Sequence, residues 1–365
     1  MIVASIVYPL FYPIPYLPEV LKDVPVTVVD LDSSQMSRQL IRMLDANELL
    51  AVVSNSSSLE EAKTDYFRGN NHGIIVISRD FQRTIMRGEQ ADISLYSDAA
   101  NFLIYKQVMT GCLQSSGTLS ATIGVNNLLA KGYPLDKAVK TINPLPLTIN
   151  DLFNATKGYA AYIVPAVFVL ILQQTLLIGI GMLAGTRRDE YDRTHSFSKQ
   201  SNTMSSIMGK SCAYLSIYMV HTIYLLFLLQ SLYTFPRRGS LTDICLFMFM
   251  FLFAVTFMGI ALSNFFKSRE MSMIILLFTS IIALFLSGIT WPVESLPHWL
   301  RMVSLIIPTT AGIDGFLRIS QMGATLRDVW FDWLILCLLS IGYFLLTYLS
   351  TLGTSLKQPS EGESL

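Results

Sequence analysis

Apolar and polar positions divide the chain into one long polar stretch and a series of windows without charge. Between Lys157 and Arg187 lie 29 residues with no Asp, Glu, Lys or Arg. Further gaps of 26, 23, 23 and 24 residues separate Lys210 from Arg237, Asp243 from Lys267, Glu270 from Glu294 and Asp332 from Lys357. A helix rises about 1.5 Å per residue, so about 20 residues cross a hydrocarbon core of about 30 Å. Inside lipid a spanning segment must satisfy its own backbone, which makes these windows five transmembrane helices. Residues 1–18 are also uncharged, but Pro9, Pro13, Pro15 and Pro18 crowd their second half. They read as a first transmembrane helix, short or truncated at its start, the other reading being a short interfacial segment.

The polar stretch, residues 20–155, has the alternation of a small α/β domain. Val24–Val29, Leu49–Val53, Ile74–Ile77 and Ile93–Tyr96 are rich in β-branched and apolar residues and predict four strands. Between them, Met36, Leu40, Met43 and Leu44 fall at helical spacing, and Ser58-Leu-Glu-Glu61 fits a capping box opening a helix to about Phe67. Asp30-Leu-Asp-Ser-Ser34 reads as a turn and cap, and Phe81 to Met86 as a short helix. A long helical segment follows from Asn101 to about Leu129, with Gly111, Gly117 and Gly124 weakening it, until Asn143-Pro-Leu-Pro146 breaks the chain.

The fold class is therefore a polytopic α-helical membrane protein with six transmembrane helices and an extracytoplasmic α/β domain. Its parts are a first helix at 1–18, the domain at 20–155, a five-helix region at 158–352 and a cytoplasmic tail at 353–365. With the N-terminus inside, the inner segments carry Arg187, Arg188, Arg193, Lys199, Lys210, Lys267, Arg269 and Lys357. The short outer ones carry Arg237, Arg238, Arg301, Arg318 and Arg327, so the basic residues favour this orientation mildly.

Composition agrees: 52% of the 365 residues are hydrophobic and 14% charged, where soluble domains run near a quarter charged. Twenty-six basic residues balance 26 acidic ones, which removes a nucleic-acid partner recruited through net charge. Cys112, Cys212, Cys245 and Cys337 show no pairing pattern for a disulfide framework or a zinc site. The four histidines are scattered over different segments, and no nucleophile–base set is visible, so no catalytic residue is assigned. Gly209-Lys-Ser211 resembles the end of a phosphate-binding loop, but Met204 stands where that loop needs glycine.

One stretch is distinctive. Phe285-Leu-Ser-Gly-Ile-Thr-Trp-Pro-Val-Glu-Ser-Leu-Pro-His-Trp-Leu300, with Ile307-Pro-Thr-Thr310 and Phe316-Leu-Arg318 after it, strongly resembles the permease subunits of ABC-2 type transporters. Val24 to Gln39, and Gly73–Ile77 followed by Phe81, resemble the subgroup with a large extracytoplasmic domain after the first helix. The resemblance implies a transport subunit, not an enzyme, in the bacterial inner membrane. It would export a drug-like, lipid-like or other small molecule. ATP and Mg would be bound by a partner, a cytoplasmic ABC ATPase, leaving this chain without a cofactor. A second permease subunit and a periplasmic membrane-fusion protein are further implied partners.

The resemblance also assigns sites. The segment 186–210, a cytoplasmic loop, would couple to the ATPase through Arg187, Arg188, Asp189, Glu190, Asp192 and Arg193, although it departs from the family's pattern after Arg188-Asp-Glu190. The segment 285–318 would be an outer re-entrant hairpin built on Ser287, Gly288, Pro292, Leu296, Pro297, Trp299, Pro308 and Arg318; the plainer reading is an interfacial loop. Within the spans Gln173, Gln174 and His221 are polar exceptions, suited to bonds across helices or to lining a pathway. The rival reading is a membrane-anchored assembly or signalling protein whose outer domain binds a partner without transport.

Overall fold

The computed structural model describes residues 2–154, 157–194, 203–266 and 268–355. They form two compact units, residues 1–19 with 151–365, and residues 20–150. The expected boundary at 155 falls at 150, because Asp151 already pairs with Lys157 across 3.2 Å inside the first unit.

Residues 1–19 contribute helix α1 (Ile2–Phe11), ten residues long as described. Residues 20–150 then fold as an α/β unit. Strands β1 (Val24–Asp30), β2 (Leu50–Ser56), β3 (Gly73–Ile77) and β4 (Ile93–Ser97) make one sheet in the order β2-β1-β3-β4. The first three run parallel and β4 antiparallel. Helices α2 (Gln35–Asp45), α3 (Leu59–Phe67) and α4 (Phe81–Met86) alternate with the strands, as parallel pairing requires a crossover. Both faces of the sheet are covered. Val26, Val28, Ile75 and Ile77 pack with Leu40, Leu44 and Phe81 on one side, and Val29 and Ile74 with Ala62 on the other.

The long helix α5 (Phe102–Ala130) is unbroken, followed by the unpredicted α6 (Leu135–Ile142). None of the glycines of α5 breaks it, and two of them, Gly111 and Gly124, are contact points. A Cβ on Gly111 would lie 2.6 Å from Leu50 Cγ, and one on Gly124 would lie 2.7 Å from Ile142 Cδ1. Packing of the helix against β2 and α6 thus outweighs the propensity cost of glycine, about 1 kcal/mol each.

The remaining unit is helical. It comprises α7 (Tyr159–Thr194), α8 (Thr203–Ile223) extended by a π-helical stretch at Tyr224–Leu229 and a last turn α9 (Gln230–Leu232), then α10 (Leu241–Ser263) and α11 (Arg269–Leu286). Short α12 (His298–Ser304) and α13 (Pro308–Ser320) precede α14 (Trp330–Ser355). Five helices are long and apolar enough to cross a bilayer, and six if the bent pair α12–α13 counts as one span. All five coincide with the charge-free windows. Helices α7 and α10 form the centre, while α11 and α14 leave most of their apolar surface exposed.

The segment 186–210 is not the loop that its charges suggested. Helix α7 continues through the charged residues to Thr194, and α8 starts at Thr203; residues 195–202 lie outside the described residues. Charge marks where a lipid-facing surface must end. It does not end a hydrogen-bond ladder, and Arg and Glu are good helix formers.

Candidate functional site

The distinctive stretch folds as a sharply bent pair of helices, called the hairpin below. Helix α11 ends at Leu286, where Ser287 Oγ turns back to donate to Leu284 O (2.7 Å). Gly288 then takes φ +86°, a left-handed conformation that glycine adopts without strain. Pro292 and a 3₁₀ turn at Val293–Ser295 lead to Pro297, which opens α12, and Pro308 occupies the first turn of α13, where a missing N–H costs nothing. Helices α12 and α13 meet at 82°. The tip between them lies part-way along the neighbouring helices: buried Gln173 Nε2 of α7 donates to Thr309 Oγ1 (3.3 Å), and on an exposed side Tyr343 of α14 donates to Ile306 O (2.7 Å). Counted along α7 from Tyr159, or along α14 from Trp330, the tip is about 20 Å in. Two helices give the same depth independently.

The hairpin is packed and bonded on all its inner sides. Tyr162 donates to Ile289 O (2.6 Å), Thr310 Oγ1 to Leu286 O (3.4 Å), and Gln321 Nε2 to Ala161 O (2.7 Å). Gly312 and Gly315 of α13 lie against the rings of Phe251 and Phe247 of α10, with no room for a Cβ. Such small-residue contacts let helix backbones approach where lipid supplies no hydrophobic drive. Through these contacts the bent pair is joined to α7 and α10.

The predicted residues separate into groups. Ser287, Gly288, Pro292 and Arg318 line one cavity of about 430 Å³ at the Tyr159 end of α7. Arg318 pairs with Asp314 one turn earlier (2.8 Å). Pro308 is buried at the tip, Leu296 is half-buried, and Pro297 and Trp299 are exposed. An indole with its ring exposed beside an apolar bundle suits a membrane interface.

At the opposite end of α7, the charged turns divide by face. Arg187 is exposed, whereas half-buried Arg188 points inward. Its guanidinium donates to Asn264 O (2.8 Å) and to Phe266 O at the α10–α11 link. Asn264 Nδ2 donates in turn to Ser350 Oγ of α14 (2.7 Å). Gly185, one helical turn before Asp189, lets α7 touch the α11 backbone, since a Cβ there would lie 2.5 Å from Arg269 N. Arg188 thus ties four helices together rather than standing free for a partner. Asp189 is half-buried, and the side chains of Glu190, Asp192 and Arg193 lie outside the described residues.

Of the intramembrane polar residues, Gln173 reaches the hairpin tip, while buried Gln174 has no hydrogen-bond partner among the described residues at either amide atom. His221 Nδ1 meets Ile217 O of its own helix at 2.9 Å, and the ring stacks on Tyr218 at 5.2 Å. Its geometry is that of a packed histidine, with Nε2 buried and unpartnered. Sequence reading passed over Tyr162, Asn264 and Thr309, whose partners are 76 to 136 residues away or bond from elsewhere in the chain. Only Thr309 had a signal, its place in Ile307-Pro-Thr-Thr310.

Comparison with known proteins agrees with this architecture. The chain is 23% identical over 336 residues to the inner membrane transport permease YhhJ of Escherichia coli K12, covering 90% of this chain and 86% of that one. It is 22% identical over 222 residues to the probable multidrug ABC transporter permease YbhR of the same organism, 60% of each chain. A third relative is ABC transporter G family member 20 of Dictyostelium discoideum, 22% identical over 86% of this chain and 42% of that protein. Residues 1–349 match the family described as ABC-2 family transporter protein. With its five to six apolar helices, the chain belongs to the ABC-2 transporter family, as a multi-pass membrane permease subunit.

Proposed function

We propose that this chain is the permease half of an ATP-driven exporter of the bacterial inner membrane, with ATP hydrolysed on a separate ABC ATPase. Family membership supports the permease role and the ATPase partner, and the names of the E. coli relatives support the inner membrane and a drug-like cargo. The observation that carries the reading is the hairpin α12–α13, wedged about 20 Å into the bundle and held by Gln173 and Tyr343. Seated there, it closes the Tyr159 end of the pathway, and movement of its tip past Gln173 opens it. Residues 20–150 then lie outside the cytoplasm, available to a membrane-fusion protein, and a second permease subunit completes the pathway.

The Arg188 end supplies the coupling. Because α7 runs unbroken from Tyr159 to Thr194, a push on its charged last turns reaches the hairpin along one rigid element. Arg187 and Asp189, with Glu190, Asp192 and Arg193, meet the ATPase, while Arg188 passes the motion to α10, α11 and α14 through Asn264 and Phe266. The test uses everted vesicles and the pair Gln173→Cys with Thr309→Cys in a background without the native cysteines. Oxidative cross-linking should stop ATP-dependent dye accumulation while leaving ATP hydrolysis, and reduction should restore it. Full transport by the cross-linked protein would overturn the gate.

A further inference from the structure

The cavity at the Tyr159 end carries an arrangement that the closure of a gate does not require. It is lined by four carboxylates, Glu294, Asp314, Asp328 and Asp332, and two guanidiniums, Arg301 and Arg318. Most of these have partners or water. Asp314 and Arg318 neutralise each other in a two-contact pair (Nη2–Oδ2 2.8 Å, Nε–Oδ1 3.2 Å). The carboxylate of Asp328 accepts from Thr325 N (2.8 Å) and Thr325 Oγ1 (2.7 Å). Glu294 and Arg301 are exposed.

Asp332 differs from all of them. It sits in the first turn of α14, is only 8% exposed, and lines the cavity. Among the described residues it makes no ion pair, and its carboxylate accepts from its own backbone N–H. A buried carboxylate without an ion pair of its own is costly, and the nearest cation, Arg318, is shared with Asp314. The walls beside it are organic in character: Tyr162 and Phe331 are aromatic, and Ile335 and Leu317 aliphatic. Among the described residues no three His, Cys, Asp or Glu side chains converge closely enough to hold a metal ion, so the missing counter-charge is not built for a bare cation.

We infer that this cavity binds an organic cation, an alkylammonium or delocalised aromatic cation, whose charge rests against Asp332 and whose apolar body lies against Tyr162, Phe331 and Ile335. A volume of about 430 Å³ suits a drug-sized molecule, and the two rings add cation–π attraction. The inference concerns binding by this chain alone and does not depend on gating or on ATP.

The test is equilibrium binding to the full chain in nanodiscs, read by fluorescence anisotropy. Rhodamine 6G, a lipophilic cation, should bind saturably, and the anionic dye fluorescein, of similar size, should not. Asp332→Asn keeps the shape and removes the charge, and should raise the rhodamine Kd at least tenfold. Ile335→Trp fills the cavity without touching a charge and should abolish binding, which keeps the question open to refutation if Asp332→Asn fails to fold. Nanodiscs of phosphatidylethanolamine and of phosphatidylglycerol separate two sources of ammonium. A weaker apparent affinity in the former identifies the lipid headgroup as occupant; equal affinities identify a soluble cation. A Kd within twofold of the parent for both variants, or equal binding of the two dyes, overturns the inference, and transport by the cross-linked protein leaves it untouched.

Discussion

The two units of this chain differ in how far their polar side chains reach. In the α/β unit most of them act locally. Asp30 accepts from Asp32 N and Ser33 N, Ser34 and Ser37 exchange bonds as a capping box, and Ser58 caps Glu61 N. In the helical unit many also bond within one turn, but a larger share reach across the sequence to backbone carbonyls: Tyr162 to Ile289, Gln321 to Ala161, Thr347 to Phe257, and Arg188 to Asn264. The difference follows from the solvent. Water and a two-faced apolar sheet fold the first unit, so polar groups need only end its helices. Lipid gives helices no hydrophobic reason to meet, so polar bonds and close glycine contacts hold the second together.

Substitutions can break or sharpen that contrast. The largest effect is expected at the glycine contacts of the helical unit. Gly315→Leu drives a side chain into the Phe247 ring and Gly185→Val into the Arg269 backbone; each should cost about 3 kcal/mol. Thermal unfolding in detergent would show it, and the same exchange at Gly117, where nothing lies within 4 Å, should cost nothing. Next comes Arg188→Ala, which strips a charged donor from two carbonyls and should destabilise by about 2 kcal/mol. Arg187→Ala, one residue away and exposed, should leave stability within about 0.5 kcal/mol. Equal losses at the two arginines would contradict the inward bonding of Arg188.

Smaller effects belong to single neutral bonds and caps. Tyr162→Phe removes one hydrogen bond at the hairpin and should cost about 1 kcal/mol. In the α/β unit Ser34→Ala removes the cap of α2, also about 1 kcal/mol, visible as faster amide exchange confined to that helix. A last probe leaves stability alone. Burial pushes the Cys112 thiol up to about 12, so at pH 8 it is almost wholly the unreactive neutral form. Iodoacetamide should label it slowly at pH 8 and faster as pH rises towards 12, and denaturation should abolish that protection.

How much of this was legible beforehand depends on the range of each signal. All four strands and the helices between them stood within two or three residues of their places, because period, caps and turn residues are written within ten positions. The extended reach of α7 past Arg187 was not visible, since loss of hydrophobicity was read as loss of helix. Nor was continuity of α5, whose glycines pack against Leu50 and Ile142. At the candidate site, the run from Ser287 to Arg318 was found as a motif, and Gly288 and Pro292 as its breaks. Its depth was not, because Gln173 and Tyr343 report it from other helices.

The sequence by itself therefore determined the membrane class, the five apolar spans, the α/β unit and the family. These rest on composition, charge-free length and local periodicity, which need no knowledge of neighbours. Only the tertiary structure decided that Arg188 is a clasp while Arg187 is exposed, that the α12–α13 tip bonds to Gln173, and that Asp332 is a buried carboxylate facing a cavity. In each case the deciding quantity is the position of a partner far along the chain, and helix packing alone sets that distance.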